Sequence, residues 1–319
     1  MEKSDDLWGG LPRFDLAPEV LPIVYRLRAA RPRSVGDVSA AEVRTGRIAN
    51  RPNVATEGLA ASEELWLPVD PVPLHARLYR ASAPSAVIVF FHGGGWTLGN
   101  SAVSDPALRR FLAKTTCTLL SVDYRLAPEN PFPAAADDAY AAIAWAAENM
   151  DILAGGPVPL IVAGESAGGN LAAVAAQRAR DAAFPKLDAQ ILLCPCVTPQ
   201  LDRSFARSFE VPFLSEEEVD WFFRQYVPNE KDHRNPAFSP LLAADFSGLA
   251  PAFLATAEWD ILRDQGVQYA RKLSAAGVPV VGRTYAGSFH GFFELDDGVG
   301  PSRRLTDDLA RFIGDVVRG

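Results

Sequence analysis

From Ala86 to Phe91 the chain reads Ala-Val-Ile-Val-Phe-Phe, with no polar position. An unbroken apolar run of this length predicts a strand covered on both faces. Further strands are predicted at Thr118–Val122, Leu160–Ala163, Ala189–Leu193, Ala252–Ala257 and Val278–Tyr285. Helical patterns lie between and after them, at Ala107–Lys114, Ala134–Asn149, Ala172–Ala182, Gln265–Ala276 and Arg303–Val317. Strands separated by helices predict an α/β fold, a mostly parallel sheet with helices on both faces. Upstream, Leu74–Arg80 alternates apolar and polar positions, as a half-buried antiparallel strand does. Glu64–Val69 precedes it across the turn Asp70-Pro71-Val72-Pro73, which brings the predicted strands to eight.

Two segments break this rhythm. Residues 1–55 hold no strand; Leu16, Val20, Ile23, Val24 and Leu27 predict one helix within Leu16–Ala30, broken at Pro22 or starting near it. The alternation stops again after Cys196. Residues 199–245 carry Phe205, Phe209, Phe213, Trp221, Phe222, Phe223 and Tyr226. Ser215 with Glu218 three residues on predicts a capping box at the start of a helix there. Neither segment can build a core alone, so both are expected to lie over the sheet as a helical cap. Residues 56–198 and 246–319 would then form the α/β domain. The aromatic stripe suits packing or ligand contact, and a lid admits both.

The chain has 319 residues, 48% of them hydrophobic, which is enough for a large core. A net charge of −8 argues against nucleic acid or an anionic membrane surface as a partner. Met1–Gly10 contains three acidic residues and no apolar centre, so it does not read as a signal peptide. No apolar run approaches the ~18 residues of a membrane span. A cytoplasmic protein is the expectation. Cys117, Cys194 and Cys196 lie in or beside apolar runs and are expected as buried free thiols; no Cys/His set with zinc spacing accompanies them.

The candidate chemistry centres on Gly164-Glu165-Ser166-Ala167-Gly168-Gly169, where a short strand meets a helix. Gly-x-Ser-x-Gly at such a junction is the pattern of a nucleophile elbow, although a glycine-rich turn without chemistry can carry it too. A serine hydroxyl needs a base, a group that orients the base, and donors for an oxyanion. Of four histidines, His75 is mid-strand, His233 sits in the charged run Lys231–Arg234 and is expected in solvent, and His92 opens a glycine run. His290, between Gly287 and Gly291 just past the final strand, remains as the base. Asp260 follows the strand that ends at Ala257, with Glu258 and Asp264 as rivals for the acid. The order Ser166, acid, His290 is that of the α/β-hydrolases. His92-Gly93-Gly94-Gly95-Trp96 follows the first fully buried strand, and its exposed N–H groups suit an oxyanion hole completed by Ala167. A phosphate-binding glycine loop would need Gly-x-Gly-x-x-Gly or a following Lys-Ser/Thr, and neither is present.

Five blocks together resemble the hormone-sensitive-lipase family of bacterial esterases: His92–Trp96, Asp123–Glu129, Gly164–Asn170, Asp260–Asp264 and His290–Phe292. The likeness covers about residues 60–317. It implies an α/β-hydrolase fold with an eight-stranded sheet and a helical cap. It implies Ser166, Asp260 and His290 as the triad, and Gly94, Gly95 and Ala167 as the oxyanion hole. The expected reaction is hydrolysis of short-to-medium acyl esters of small molecules through an acyl-enzyme, without metal or organic cofactor. Amide hydrolysis is the alternative, and a non-catalytic ligand-binding relative a more distant one. The family also implies that a homodimer could form through the sheet edge near the last strand. Activity should rise with pH as the imidazole, of ordinary pKa ~6.5, loses its proton. Two positions depart from the family pattern: Glu165 stands where Asp or Thr is common, and Ile261 replaces the proline after the acid.

Overall fold

The computed structural model describes residues 16–24, 39–49, 62–201, 214–295 and 299–319. Its eight strands are β1 (Ser62–Leu67), β2 (Leu74–Tyr79), β3 (Val87–Phe91), β4 (Thr118–Asp123), β5 (Leu160–Glu165), β6 (Ala189–Leu193), β7 (Ala252–Trp259) and β8 (Val280–Phe289). They form one sheet in the order β1-β2-β4-β3-β5-β6-β7-β8. β1 and β2 pair antiparallel, as do β2 and β4; every pairing from β4 through β8 is parallel.

The apolar runs are explained by two cores, one on each side of this sheet. Val87, Val89 and Phe91 of β3 face one core, while Ile88 and Phe90 face the other. β5 divides in the same way, Leu160 and Val162 against Ile161 and Ala163. Successive side chains of a strand point to opposite faces, so a strand buried on both sides is mostly apolar along its length.

The helices are α1 (Ala40–Ala49), α2 (Ser101–Leu112), α3 (Ala134–Glu148), α4 (Met150–Ala154), α5 (Ala167–Asp181), α6 (Glu216–Tyr226), α7 (Arg263–Ala275) and α8 (Gly300–Arg318), with a short helical turn over residues 18–24. Leu108 and Phe111 of α2 join Leu305, Leu309 and Phe312 of α8 in one core. Alanine-rich α3 and α5 fill the other, where small side chains let helix and sheet approach closely.

Several expected boundaries move. The predicted Val278–Tyr285 strand runs on to Phe289, and α1 lies in a segment that had no predicted element. Only residues 16–24 of the predicted Leu16–Ala30 helix are described. Leu27, Phe205, Phe209 and Phe213 lie outside the described residues. The capping box at Ser215 is present: its Oγ accepts from the Glu218 N–H, and the Glu218 carboxylate accepts from the Ser215 N–H. Among the described residues no helix is long and apolar enough to cross a membrane.

Candidate active site

Strand β5 runs into helix α5 with a single residue, Ser166, between them. Its backbone sits at φ 56° and ψ −115°. A non-glycine residue in such a region costs roughly 1–3 kcal/mol and persists only where its surroundings impose it. Here the Ser166 N–H donates to the Leu193 carbonyl at 2.8 Å, and its own carbonyl accepts from Asn170 N at 3.0 Å and Cys196 N at 3.2 Å. The flanking glycines are steric requirements. A Cβ on Gly164 would fall 2.1 Å from the Gly168 carbonyl oxygen, and one on Gly168 would fall 1.9 Å from that of Phe91.

His290 follows β8 and Asp260 follows β7, so both rise from the same sheet edge as Ser166. The Ser166 hydroxyl is 2.9 Å from His290 Nε2, and His290 Nδ1 is 2.7 Å from Asp260 Oδ2. Asp260 is 1% exposed, and its other oxygen accepts from the Leu262 N–H at 2.8 Å. The rival acids are engaged elsewhere. Glu258 accepts from the Gly287 N–H at 2.7 Å, fixing the turn before His290, and Asp264 pairs with Arg263 at 2.8 Å.

The other histidines divide as expected, with one correction. His75 lies on β2 between Glu64 and Asp123, at 2.7 and 2.6 Å. His233 is not solvated as expected. A 3-10 turn over Glu230–Arg234 folds its ring toward Phe223 and Phe238, and Nε2–H donates to the Val227 carbonyl at 3.0 Å. His92 is buried: its Nδ1–H donates to the Gly93 carbonyl at 2.8 Å, and its ring stacks on Tyr124 at 4.3 Å. Burial pushes its pKa down, so this ring is a neutral brace for the loop.

The loop that His92 braces passes directly over the nucleophile turn. A Cβ on Gly93 would lie 3.6 Å from Ser166 Cβ. Gly94 and Gly95 have φ of 119° and 59°, and a Cβ on Gly94 would meet the Leu98 carbonyl oxygen at 2.2 Å. The loop and the first residue of α5, Ala167, thus flank Ser166. Cys194, at φ 43°, places its sulfur within 4.8 Å of ligand atoms of Asp260 and His290. Burial holds that thiol protonated, and the nearby Asp260 carboxylate acts in the same direction. With Cys117 and Cys196 it is one of three free, buried cysteines.

A family model described as the alpha/beta hydrolase fold matches residues 88–294. The chain belongs to the alpha/beta hydrolase fold family. The hormone-sensitive-lipase type of this hydrolase is carried by the blocks around His92, Ser166, Asp260 and His290. A carboxylesterase of Mycobacterium tuberculosis, NlhH, is 46% identical over 198 residues, 61% of this chain and 62% of that protein. An arylesterase of Saccharolobus solfataricus is 37% identical over 250 residues, 78% of this chain and 80% of that one. A hyperthermophilic esterase from Pyrobaculum calidifontis superposes with a TM-score of 0.84 at 35% identity, covering 95% of this chain and 99% of that one.

Arg44 and Asn170, which had no expected role, and Phe222, one of the aromatics expected to pack or to contact ligand, stand around this site of the hydrolase. Arg44 of α1 donates to the carbonyls of Thr97 and Ala127, at 2.8 and 2.6 Å, and pairs with Glu129 at 2.9 Å. It ties the N-terminal helix to the loop after Gly95 and to the Asp123–Glu129 block. Phe222 of α6 lies against Gly95, where a Cβ would fall 2.2 Å from its ring. Its neighbours Trp221 and Phe223 are buried, while Phe222 is only half-buried. Asn170 donates to the carbonyls of Cys196 and Phe238, both at 2.7 Å, joining α5 to the chain on either side of the inserted segment. Arg44 is one of several arginines in a polar stretch and Phe222 one of several aromatics in its segment, so nothing in the sequence singles either out.

Proposed function

We propose that this hydrolase is a serine carboxylesterase acting on short-to-medium acyl esters of small molecules. The observation that carries the reading is the bonded series from Ser166 Oγ to His290 Nε2 and from His290 Nδ1 to Asp260. Supporting it, relatives over most of the chain bear the names arylesterase and ethyl acetate hydrolase. The match to the mycobacterial carboxylesterase takes in 62% of that protein's length.

In this mechanism Ser166 Oγ attacks the ester carbonyl carbon as its proton passes to His290 Nε2. His290 Nδ1–H keeps donating to the ionised Asp260, which fixes the tautomer and stabilises the imidazolium. The N–H groups of Gly94, Gly95 and Ala167 receive the oxyanion, a kind of contact worth on the order of 10²–10³ in kcat per donor. His290 returns the proton to the leaving alcohol. Water, activated by the same ring, then releases the acid from Ser166.

Residues 1–55 and 199–245 serve as the cap in this reading, and residues 56–198 and 246–319 as the catalytic domain. The docking of α1 through Arg44 and of α6 through Phe222 supports the division. A cytoplasmic location goes with it, supported by three free, buried thiols. Turnover of a p-nitrophenyl ester series by wild type and Ser166→Ala tests the function. Hydrolysis by the wild type alone is expected. Equal inertness of both proteins would reject it.

A further inference from the structure

Glu165 is an acid in a place that offers a charge no partner. It ends β5 immediately before Ser166 and is 3% exposed. A Cβ on Gly93 would lie 3.6 Å from Ser166 Cβ and 3.8 Å from Glu165 Oε2, so the carboxyl lies between the nucleophile turn and the glycine loop. Its Oε1 is buried without a hydrogen-bond partner.

The groups that act on it have the wrong sign for holding a carboxylate. Asp260 approaches from the turn after β7. Glu294 approaches from the turn after His290, held by the Ser104 hydroxyl of α2 at 2.8 Å. Cys194, at the end of β6, is a thiol kept protonated, and His92, at the end of β3, is neutral. Burial first, then Glu294 and Asp260, push Glu165 well above the carboxylate range. Asp260 is also buried, but it accepts hydrogen bonds from the His290 and Leu262 N–H groups, whereas Glu165 Oε1 has no donor.

We propose that Glu165 is a positioning residue for ester hydrolysis: its uncharged carboxyl fills the space beneath the glycine loop, and a charge there disables the oxyanion donors. Loss of its proton would set a second negative charge beside the loop at which the tetrahedral oxyanion forms. Repulsion between two like charges in a site sheltered from water lowers kcat by about tenfold or more. The space also has to be filled, so removing the side chain releases the loop.

The inference rests on the esterase reading, and the tests keep the two apart. In pH-stat assays with a short aliphatic ester, wild-type kcat should decline on the alkaline side while far-UV circular dichroism shows the fold intact. Glu165→Ala should lose about tenfold in kcat with KM little changed, and Glu165→Gln should restore most of it and remove the alkaline decline. An infrared C=O band of a protonated carboxyl should be present in the wild type near neutral pH and absent from Glu165→Gln. An alkaline decline unchanged in Glu165→Gln, or no decline in the wild type, would overturn the proposal. So would a folded Glu165→Gln inactive near neutral pH. The infrared band decides the charge of Glu165 even if no ester is turned over, and its absence from the wild type would also overturn the proposal.

Discussion

Gly168 and the Phe91 carbonyl oxygen are packed so closely that a methyl group on Gly168 would fall 1.9 Å from that oxygen. Helix α5 therefore starts against the end of β3, and this contact sets the height of Ser166 over the sheet. Both partners are backbone, so neither can swing aside. Gly168→Ala is expected to destabilise the protein by more than about 4 kcal/mol or to prevent soluble folding. Urea unfolding of the variant, or its absence from the soluble fraction, checks this. Wild-type stability would show that the elbow can shift at little cost.

Phe222 against Gly95 makes a second prediction. The ring is the half-buried member of three consecutive aromatics, and it lies against Gly95, one of the proposed oxyanion donors. Phe222→Ala should raise kcat/KM for a hexanoyl ester relative to an acetyl ester by about tenfold, the scale of one or two methylenes in an apolar pocket. A ratio equal to that of the wild type would remove Phe222 from the substrate wall.

Arg44 holds α1 through two backbone carbonyls and Glu129. Hydrogen bonds to charged groups contribute about 1.5–3 kcal/mol each, so Arg44→Ala should weaken the docking of α1 by about 2 kcal/mol or more. Limited proteolysis should then cut near residues 40–49 much faster than in wild type, with KM raised and global unfolding little changed. Equal cleavage rates would mean that other contacts hold the helix.

A pH prediction comes from Asp105 on α2, which is bonded to Arg77 and Tyr79 of β2. Burial raises its pKa, but bonds from Arg109, Tyr79 and Arg77 outweigh this and leave it below the ordinary value. A depressed carboxyl stabilises the fold above its unfolded pKa of ~3.9, and the contribution is lost as pH falls through its folded value. Asp105→Asn should therefore be less stable than wild type at pH 7, by about 1–3 kcal/mol, with the gap closing as pH drops below ~4. A gap independent of pH would assign the effect to shape and not to charge.

Much of this was legible in the chain because burial on both faces favours apolar strand positions. β3 is wholly apolar and β4 through β7 are mostly so, with buried polar exceptions such as Ser121, Gln190 and Thr256. The ends of those strands locate His92, Ser166 and Asp260. The rest depends on contacts between distant residues. Helix α1 is polar and contains Gly46, and its hold on the domain comes from Arg44 reaching residues more than 50 positions away. β8 continues past Tyr285 although Gly287, at φ 72°, reads as a break. His233 sits in a run of charges, and only the 3-10 turn brings its ring against two phenylalanines. Trp221-Phe222-Phe223 reads as part of one aromatic stripe, and only the rotation of α6 sets Phe222 against Gly95.

The central claim is that the Ser166 hydroxyl is the nucleophile and His290 its base. It is tested most directly by treating the protein with a p-nitrophenyl phosphonate ester and locating the adduct by peptide mass spectrometry. One stoichiometric adduct on Ser166 is expected, with loss of p-nitrophenyl ester turnover. No adduct is expected in Ser166→Ala, and only slow labelling in His290→Ala. An adduct on another residue, or turnover that survives in Ser166→Ala, would contradict it.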